Sequence, residues 1–172
     1  YGGRPFVMAD DQRVDDALSL CYDSEPMEGD LEILGWPRAL LFISSTADVA
    51  FFVVRLEDVA PDGTSALVTK GILNATRRES MQTVKPMVPG EIYELDIQLD
   101  AISWIFERGH RIRVAVCSSD FPDIWPSPKR AVNTIYRDSE HPSRVLLPTM
   151  PKQEPELPKP KFLPPPAYPV TA

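Results

Sequence analysis

Cysteine and histidine are scarce in this chain, and the scarcity excludes whole chemistries. Cys21 and Cys117 are the only cysteines and His110 and His141 the only histidines among 172 residues. A structural zinc site would need nearly all four, and none stand at C-x-x-C or H-x-x-x-H spacing. No metal and no other cofactor is therefore expected, and both thiols read as small buried hydrophobes. A Cys21–Cys117 disulfide stays open, because sequence does not place two Cα atoms within bonding distance.

Positive charge is also short. Lys plus Arg number 18 against 25 Asp plus Glu, a net charge of −7. Nucleic acids and anionic lipid surfaces are bound largely through cations that neutralise phosphates, so neither is an expected partner. No apolar run approaches the ~20 residues of a bilayer-spanning helix. No basic stretch followed by an apolar one marks an export signal, which points to a cytoplasmic compartment. The chain opens on Tyr1-Gly2-Gly3 rather than Met, as a fragment of something longer would.

Catalytic signatures are missing too. An α/β-hydrolase nucleophile needs G-x-S-x-G between a strand and a helix, and none occurs. Neither G-x-G-x-x-G nor a phosphate-binding loop is present. His110 opens a strand in Gly109-His110-Arg111, where its expected work is hydrogen bonding in a turn. His141 sits in Glu140-His141-Pro142-Ser143, a turn composition. A general base needs a nucleophile in reach, and nothing in the spacing supplies one. Asp96, Asp100 and Asp120 read as exposed faces or turn formers. Carboxylate pairs occur throughout so acidic a chain and single out no site. Of the three tryptophans, Trp36 and Trp104 read mainly as packing residues; Trp125, in the Phe121–Pro128 loop, is equally suited to packing or to stacking on a sugar ring.

What is abundant is proline, 19 residues, eight of them after position 150. Residues 151–172 cannot join a helix or central strand, because each Pro lacks an N–H. They read as an extended polyproline-like tail, either solvated or strapped to a surface by Phe162, Leu163 and Tyr168. At the other end, positions 8–32 hold nine acids and one Arg. Residues 10–16 are expected to form an exposed loop, too polar for core, leading into a first strand at Ala17–Tyr22.

Between these ends the hydrophobic period is two. Tyr93, Leu95, Ile97 and Leu99 fall on one face, with Glu94, Asp96 and Gln98 on the other. Ile112, Val114 and Val116 repeat the pattern. Phe51–Val59 starts apolar and becomes alternating, as a strand covered on both faces at one end would. Further strands are expected at 30–34, 38–44, 66–73, 103–106 and 144–147, and a short helical turn within 74–83. Ala60-Pro61-Asp62-Gly63-Thr64 is a hairpin turn. Short β runs with turn signals every ten or so residues predict an all-β chain, an antiparallel jelly-roll β-sandwich of galactose-binding-domain-like type. The expected divisions are 1–16, an N-terminal loop segment; 17–150, the sandwich; and 151–172, the extended Pro-rich tail.

A set of ordered motifs carries a resemblance. Gly35-Trp36-Pro37-Arg38-Ala39, Ser44–Phe51, Arg55–Gly63, Gly71-Ile72-Leu73, Pro89–Tyr93, Gly109–Arg113, Ser118–Pro122 and His141–Val145 are among its members. Together they resemble the C-terminal jelly-roll domain of the X-Pro dipeptidyl-peptidase and cocaine-esterase-like (CocE/NonD) serine hydrolases, over roughly Tyr1 to Pro151. The resemblance implies a non-catalytic module whose partner is an α/β-hydrolase domain of the same polypeptide, where the whole Ser-His-Asp triad resides. It implies no catalytic residue here. It implies that Arg4, Pro5 and Phe6 wall the substrate pocket, and that Asp48 (bonding a turn) and Asp58 (bonding backbone donors near Pro61) are structural, as His110 is. The acidic N-terminal stretch or the loop bearing Phe121, Ile124 and Trp125 is the expected domain contact. A sandwich parted from that partner would expose an apolar patch, so self-association into a homo-oligomer is a further expectation. The competing reading is a free-standing carbohydrate- or ligand-binding jelly roll.

Overall fold

A computed structural model describes residues 11–150. The proline tail, Asp10 and the Arg4–Phe6 wall lie outside the described residues.

One helical turn, α1 (Arg13–Asp16), precedes β1 (Leu20–Asp23), β2 (Leu31–Gly35), β3 (Arg38–Ser45), β4 (Phe51–Val59) and β5 (Ser65–Asn74). A 3₁₀ turn (Ala75–Arg77) follows, then β6 (Tyr93–Gln98), β7 (Ile102–Phe106), β8 (Arg111–Cys117), β9 (Asn133–Tyr136) and β10 (Arg144–Leu146). All pairings of these strands are antiparallel. One sheet runs β1-β8-β4-β5. In the other, β6 pairs with one edge of β3, while β10 and β9 divide the opposite edge between its first and second halves. A β2–β7 pair completes the set. The inward faces share one core, built from Ile43, Leu41, Leu95 and Ile97 of one sheet and Phe52, Val54, Leu56 and Val116 of the other. The chain is an antiparallel β-sandwich. Among the described residues, no helix is long and apolar enough to cross a membrane.

The period-two strands fall where their patterns placed them. Along β6, Leu95 and Ile97 are buried while Glu94, Asp96 and Gln98 are exposed. The Ala60–Thr64 hairpin closes by Ala60 N–H to Thr64 O and Gly63 N–H to Ala60 O, each 2.9 Å, with Gly63 at φ +88°. The expected helical turn within 74–83 is the 3₁₀ turn, which Asn74 caps by accepting from Thr76 N–H.

Three expectations need correction. Residues 11–16 are no exposed loop: α1 forms there, and Gln12 and Asp16 are buried. The first strand consequently starts at Leu20 rather than Ala17. Finally, β4 is covered on both faces along nearly its whole length, charged positions included, because it sits inside its sheet and α1 lies over its outer side. β9 is not among the expected strands; Asn133-Thr134-Ile135-Tyr136 opens on two polar residues and shows no apolar alternation. Cys21 opposes Ala115 in the β1–β8 register, and both cysteines are free.

Gly71 of β5 lies tight against the backbone at the end of β6. A Cβ there would stand 2.6 Å from the Gln98 carbonyl oxygen and 3.0 Å from the Leu99 Cα, both backbone atoms that cannot swing aside. Gly71→Ala is therefore expected to destabilise the fold by about 1–3 kcal/mol, the usual cost of overpacking, measured by urea unfolding.

Candidate docking face

The segment 11–20 has its polarity reversed. Gln12 and Asp16 point inward and are buried, while Val14 and Leu18 stand 79% and 85% exposed, with Leu20 half exposed after them. A helical turn whose only neighbour was its own sheet would turn its apolar side in. What reverses it is the outer side of β4, which carries Arg55 and Glu57 where a buried strand would ordinarily place aliphatics.

Asp16 Oδ1 accepts from Arg55 Nη2 at 3.1 Å, and Asp16 Oδ2 from Arg113 Nη1 at 2.9 Å. Arg55 Nε donates to Glu57 Oε1 at 2.8 Å, and Ser65 Oγ to Glu57 Oε2 at 2.9 Å. Arg113 also grips Asp23 through Nε and Nη2, both at 2.7 Å. Those hydrogen bonds to Asp23, joined by Asp16, hold the Arg113 guanidinium above its ordinary range. The backbone bond from Gln12 N–H to Ser65 O, 2.7 Å, pins the segment at the start of β5. Cys117 lies under Arg55 with its thiol raised by burial, an inert rather than a nucleophilic cysteine.

The Phe121 loop joins the same face. Asp120 and Ile124 exchange two backbone hydrogen bonds, at 2.9 and 2.7 Å. Lys70 Nζ reaches Asp120 at 2.5 Å and Asp123 at 2.8 Å, tying the loop to β5. Burial pulls the Lys70 ammonium down, and the two carboxylates more than offset it, so the group is raised and stays a cation. The tied loop holds Phe121 and Trp125 edge-to-face, ring centroids 5.4 Å apart, yet leaves both about 70% exposed; Ile124 is half-buried.

Two grooves connect these features. One of about 520 Å³ lies between Gln12 and Asp15 on one side and Asp120, Phe121 and Pro122 on the other, floored by β5. The second, about 290 Å³, opens between Leu18–Leu20 and Ala131–Ile135 down to Phe52 and Val116. Asn133 Oδ1, on its wall, is buried without a hydrogen-bond partner among the described residues.

The residues read as structural lie elsewhere, and their partners differ from those expected. Asp58 accepts from Trp104 Nε1 at 3.0 Å and pairs with His110 Nδ1 at 2.8 Å. Its oxygens thus serve two side chains from β7 and the start of β8 rather than backbone donors near Pro61. The pair has the form of a base and its orienting carboxylate. Yet no Ser, Thr or Cys side chain bonds His110 among the described residues, and its Nε2 meets only Glu107, at 4.0 Å. Asp48 pairs with Lys129 at 2.6 and 2.9 Å, joining the Ser45–Phe51 turn to the 118–132 loop. Sequence reasoning missed Asp16, Arg55, Glu57 and Arg113 altogether. The available signal was Arg55-Leu56-Glu57 interrupting an otherwise apolar strand.

The sequence pattern of the X-Pro dipeptidyl-peptidase C-terminal non-catalytic domain matches residues 5–146. The chain belongs to that family. It is the non-catalytic C-terminal domain type of CocE/NonD hydrolases. Cocaine esterase of Rhodococcus sp. (strain MB1 Bresler) is 37% identical over 143 residues, covering 75% of this chain and 25% of that protein. An aminopeptidase structure from a marine-sediment Thaumarchaeota archaeon superposes with a TM-score of 0.79 at 29% identity, covering 84% of this chain and 28% of that one. An α-amino acid ester hydrolase gives 0.79 at 28% identity, covering 83% and 28%. The chain thus spans about a quarter of the length of the relatives it matches.

Proposed function

We propose that this domain docks through the α1–Phe121 face onto an N-terminal α/β-hydrolase domain of a serine hydrolase, one that cleaves ester or amide bonds. There it walls the substrate pocket and stabilises the enzyme. The reversed polarity of residues 11–20 carries this reading: Val14, Leu18 and Leu20 are held outward by buried charges, a cost with no return unless something apolar covers them. The buried Asn133 Oδ1 supports it, as an acceptor that an incoming donor would satisfy. Relatives named as an esterase, an aminopeptidase and an ester hydrolase support the reaction class.

The wall itself is assigned to Arg4, Pro5 and Phe6. The Gln12–Ser65 backbone bond beside the larger groove supports this reading, since it fixes the chain a few residues after them. A rigid second wall excludes water and restricts which acyl or amino group fits a site that hydrolase loops alone leave shallow. Phe121 and Trp125 form the second half of the contact.

In the full-length polypeptide, Leu18→Asp should raise KM for a p-nitrophenyl ester about tenfold and lower the melting temperature, the effect of losing one central apolar anchor. An unchanged KM and melting temperature, with Phe121→Ala/Trp125→Ala equally silent, overturns the reading. So does calorimetric binding of an oligosaccharide by the 172-residue chain, which would instead mark a free-standing sugar-binding module.

A further inference from the structure

The outer side of the β2–β7 pair is apolar and open. Ile33 and Phe106 are buried in the core, so alternation turns Leu34 of β2 and Ile105 of β7 outward. The register sets Glu32 against Ile105 and Leu34 against Ser103, which makes Leu34 and Ile105 diagonal neighbours on one surface. They are 51% and 52% exposed, and Trp36, just past the end of β2, is 61% exposed. None of these residues belongs to the α1–Phe121 face.

The last described residues run along the other edge of β2. Leu34 N–H donates to Pro148 O at 2.9 Å and Met150 N–H to Glu32 O at 3.0 Å, with Ile33 and Thr149 forming an antiparallel bridge between them. Residues 148–150 therefore head toward the start of β2. Past Met150 that edge is open: among the described residues, no backbone group bonds the Asp30 N–H or C=O. Continuing the register sets position 151 against Leu31 and position 152 against Asp30. Alternate residues of an antiparallel strand turn their backbone groups to the partner. Residues 148 and 150 do so, which gives 152 and 154 the same orientation and turns 151 and 155 away. Pro151 and Pro155 thus fall where a missing N–H costs no ladder bond, while Lys152 and Glu154 keep their donors on the inward positions.

We propose that residues 151–172 are a strap on this domain itself. Residues 151–155 lengthen the strand along β2, and the proline-rich remainder turns back over Leu34, Trp36 and Ile105. Phe162, Leu163, Tyr168 and the prolines supply the apolar side of the contact. Extended proline segments lose little entropy on docking and are bound by exposed aromatic rings, the role Trp36 fills here. The length suffices: 22 residues at about 3.1 Å each reach about 70 Å, against roughly 17 Å for a five-residue strand. Charge fits as well. Three lysines outnumber two glutamates in 151–172, on a chain whose net charge is −7. In the continued register Lys152 comes opposite the exposed Asp30, with Glu28 and Glu32 exposed on either side. An edge covered in this way is closed to pairing with a second chain. The strap does not depend on the docking reading above.

The 172-residue chain is compared with a form ending at Met150 by hydroxyl-radical labelling and mass spectrometry. Leu34, Trp36 and Ile105 should be modified at least about threefold more slowly in the longer chain, because a short tether holds the strap at a millimolar effective concentration. Amide exchange at Asp30 should slow with them. Phe162→Ala/Leu163→Ala/Tyr168→Ala, which keeps the length and every described contact, should raise labelling of the three side chains to the level of the shortened form; it decides the matter alone should the shortened form unfold. Labelling of Leu34, Trp36 and Ile105 that is equal in all forms overturns the proposal. So does protection that appears only when a hydrolase domain is joined to the chain, which would make this face a contact with that partner.

Discussion

Arg55→Ala is expected to destabilise the domain by about 3–5 kcal/mol, the cost of removing one member of a buried ion cluster. Arg55 is the cation common to Asp16 and Glu57, and truncation leaves both carboxyls buried with only Arg113 and Ser65 to serve them. Against a typical domain stability of about 5–15 kcal/mol, the loss is a large fraction of what holds the fold. Urea unfolding monitored by tryptophan fluorescence measures it. The companion variant is Asp16→Leu/Arg55→Met/Glu57→Leu, which replaces the charges with apolar groups of similar volume; Arg113 keeps Asp23. Buried ion clusters exchanged whole for hydrophobes are commonly neutral or more stable by about 1–4 kcal/mol. The triple variant should therefore be as stable as wild type or better, while Arg55→Ala alone is crippled. A loss below about 1 kcal/mol for Arg55→Ala would show that water reaches the cluster.

Phe52→Ala should cost a similar ~3–5 kcal/mol, for an unrelated reason. Phe52 is 2% exposed on the inner side of β4, where its ring packs among the strands of both sheets. It also floors the groove between β1 and β9. Truncation removes buried apolar surface and leaves a void that the two sheets, tied by their own ladders, cannot collapse to fill. Phe52→Leu keeps most of the volume and should cost less than about 1.5 kcal/mol. The denaturation midpoint should fall in both variants without a change in slope, since the surface exposed on unfolding is nearly the same. Equal, small losses in both would mean that the ring is not packed from both sheets.

The legible part of this protein was whatever depends on neighbours along the chain. Alternation at 92–99 and 110–117 identified half-buried strands because side chains on a strand point to opposite faces in turn. Pro61-Asp62-Gly63 announced a hairpin because only Gly sits comfortably at positive φ. The absence of a nucleophile elbow, together with the chain of motifs from Gly35 to Val145, pointed to a non-catalytic domain of this family. Alternation misleads at Arg55-Leu56-Glu57, however. The rule that charged positions face water assumes that one face of the strand is wet, and here a second layer covers it. Asp10–Asp16 misled in the same way: acidity was read as exposure, yet Asp16 is the residue the fold buries.

By itself the sequence determined most of the strands, the Ala60–Thr64 hairpin and the family, since each is written in local spacing or in contiguous motifs; β9 and the true start of β1 escaped it. Only the tertiary structure decided that Asp16, Arg55, Glu57 and Arg113 meet, and that Val14 and Leu18 are turned outward beside the Phe121 loop. The four charged side chains come from three elements spread over nearly a hundred positions. A buried charge is tolerated only where its counter-charges converge in space, a condition no local pattern records.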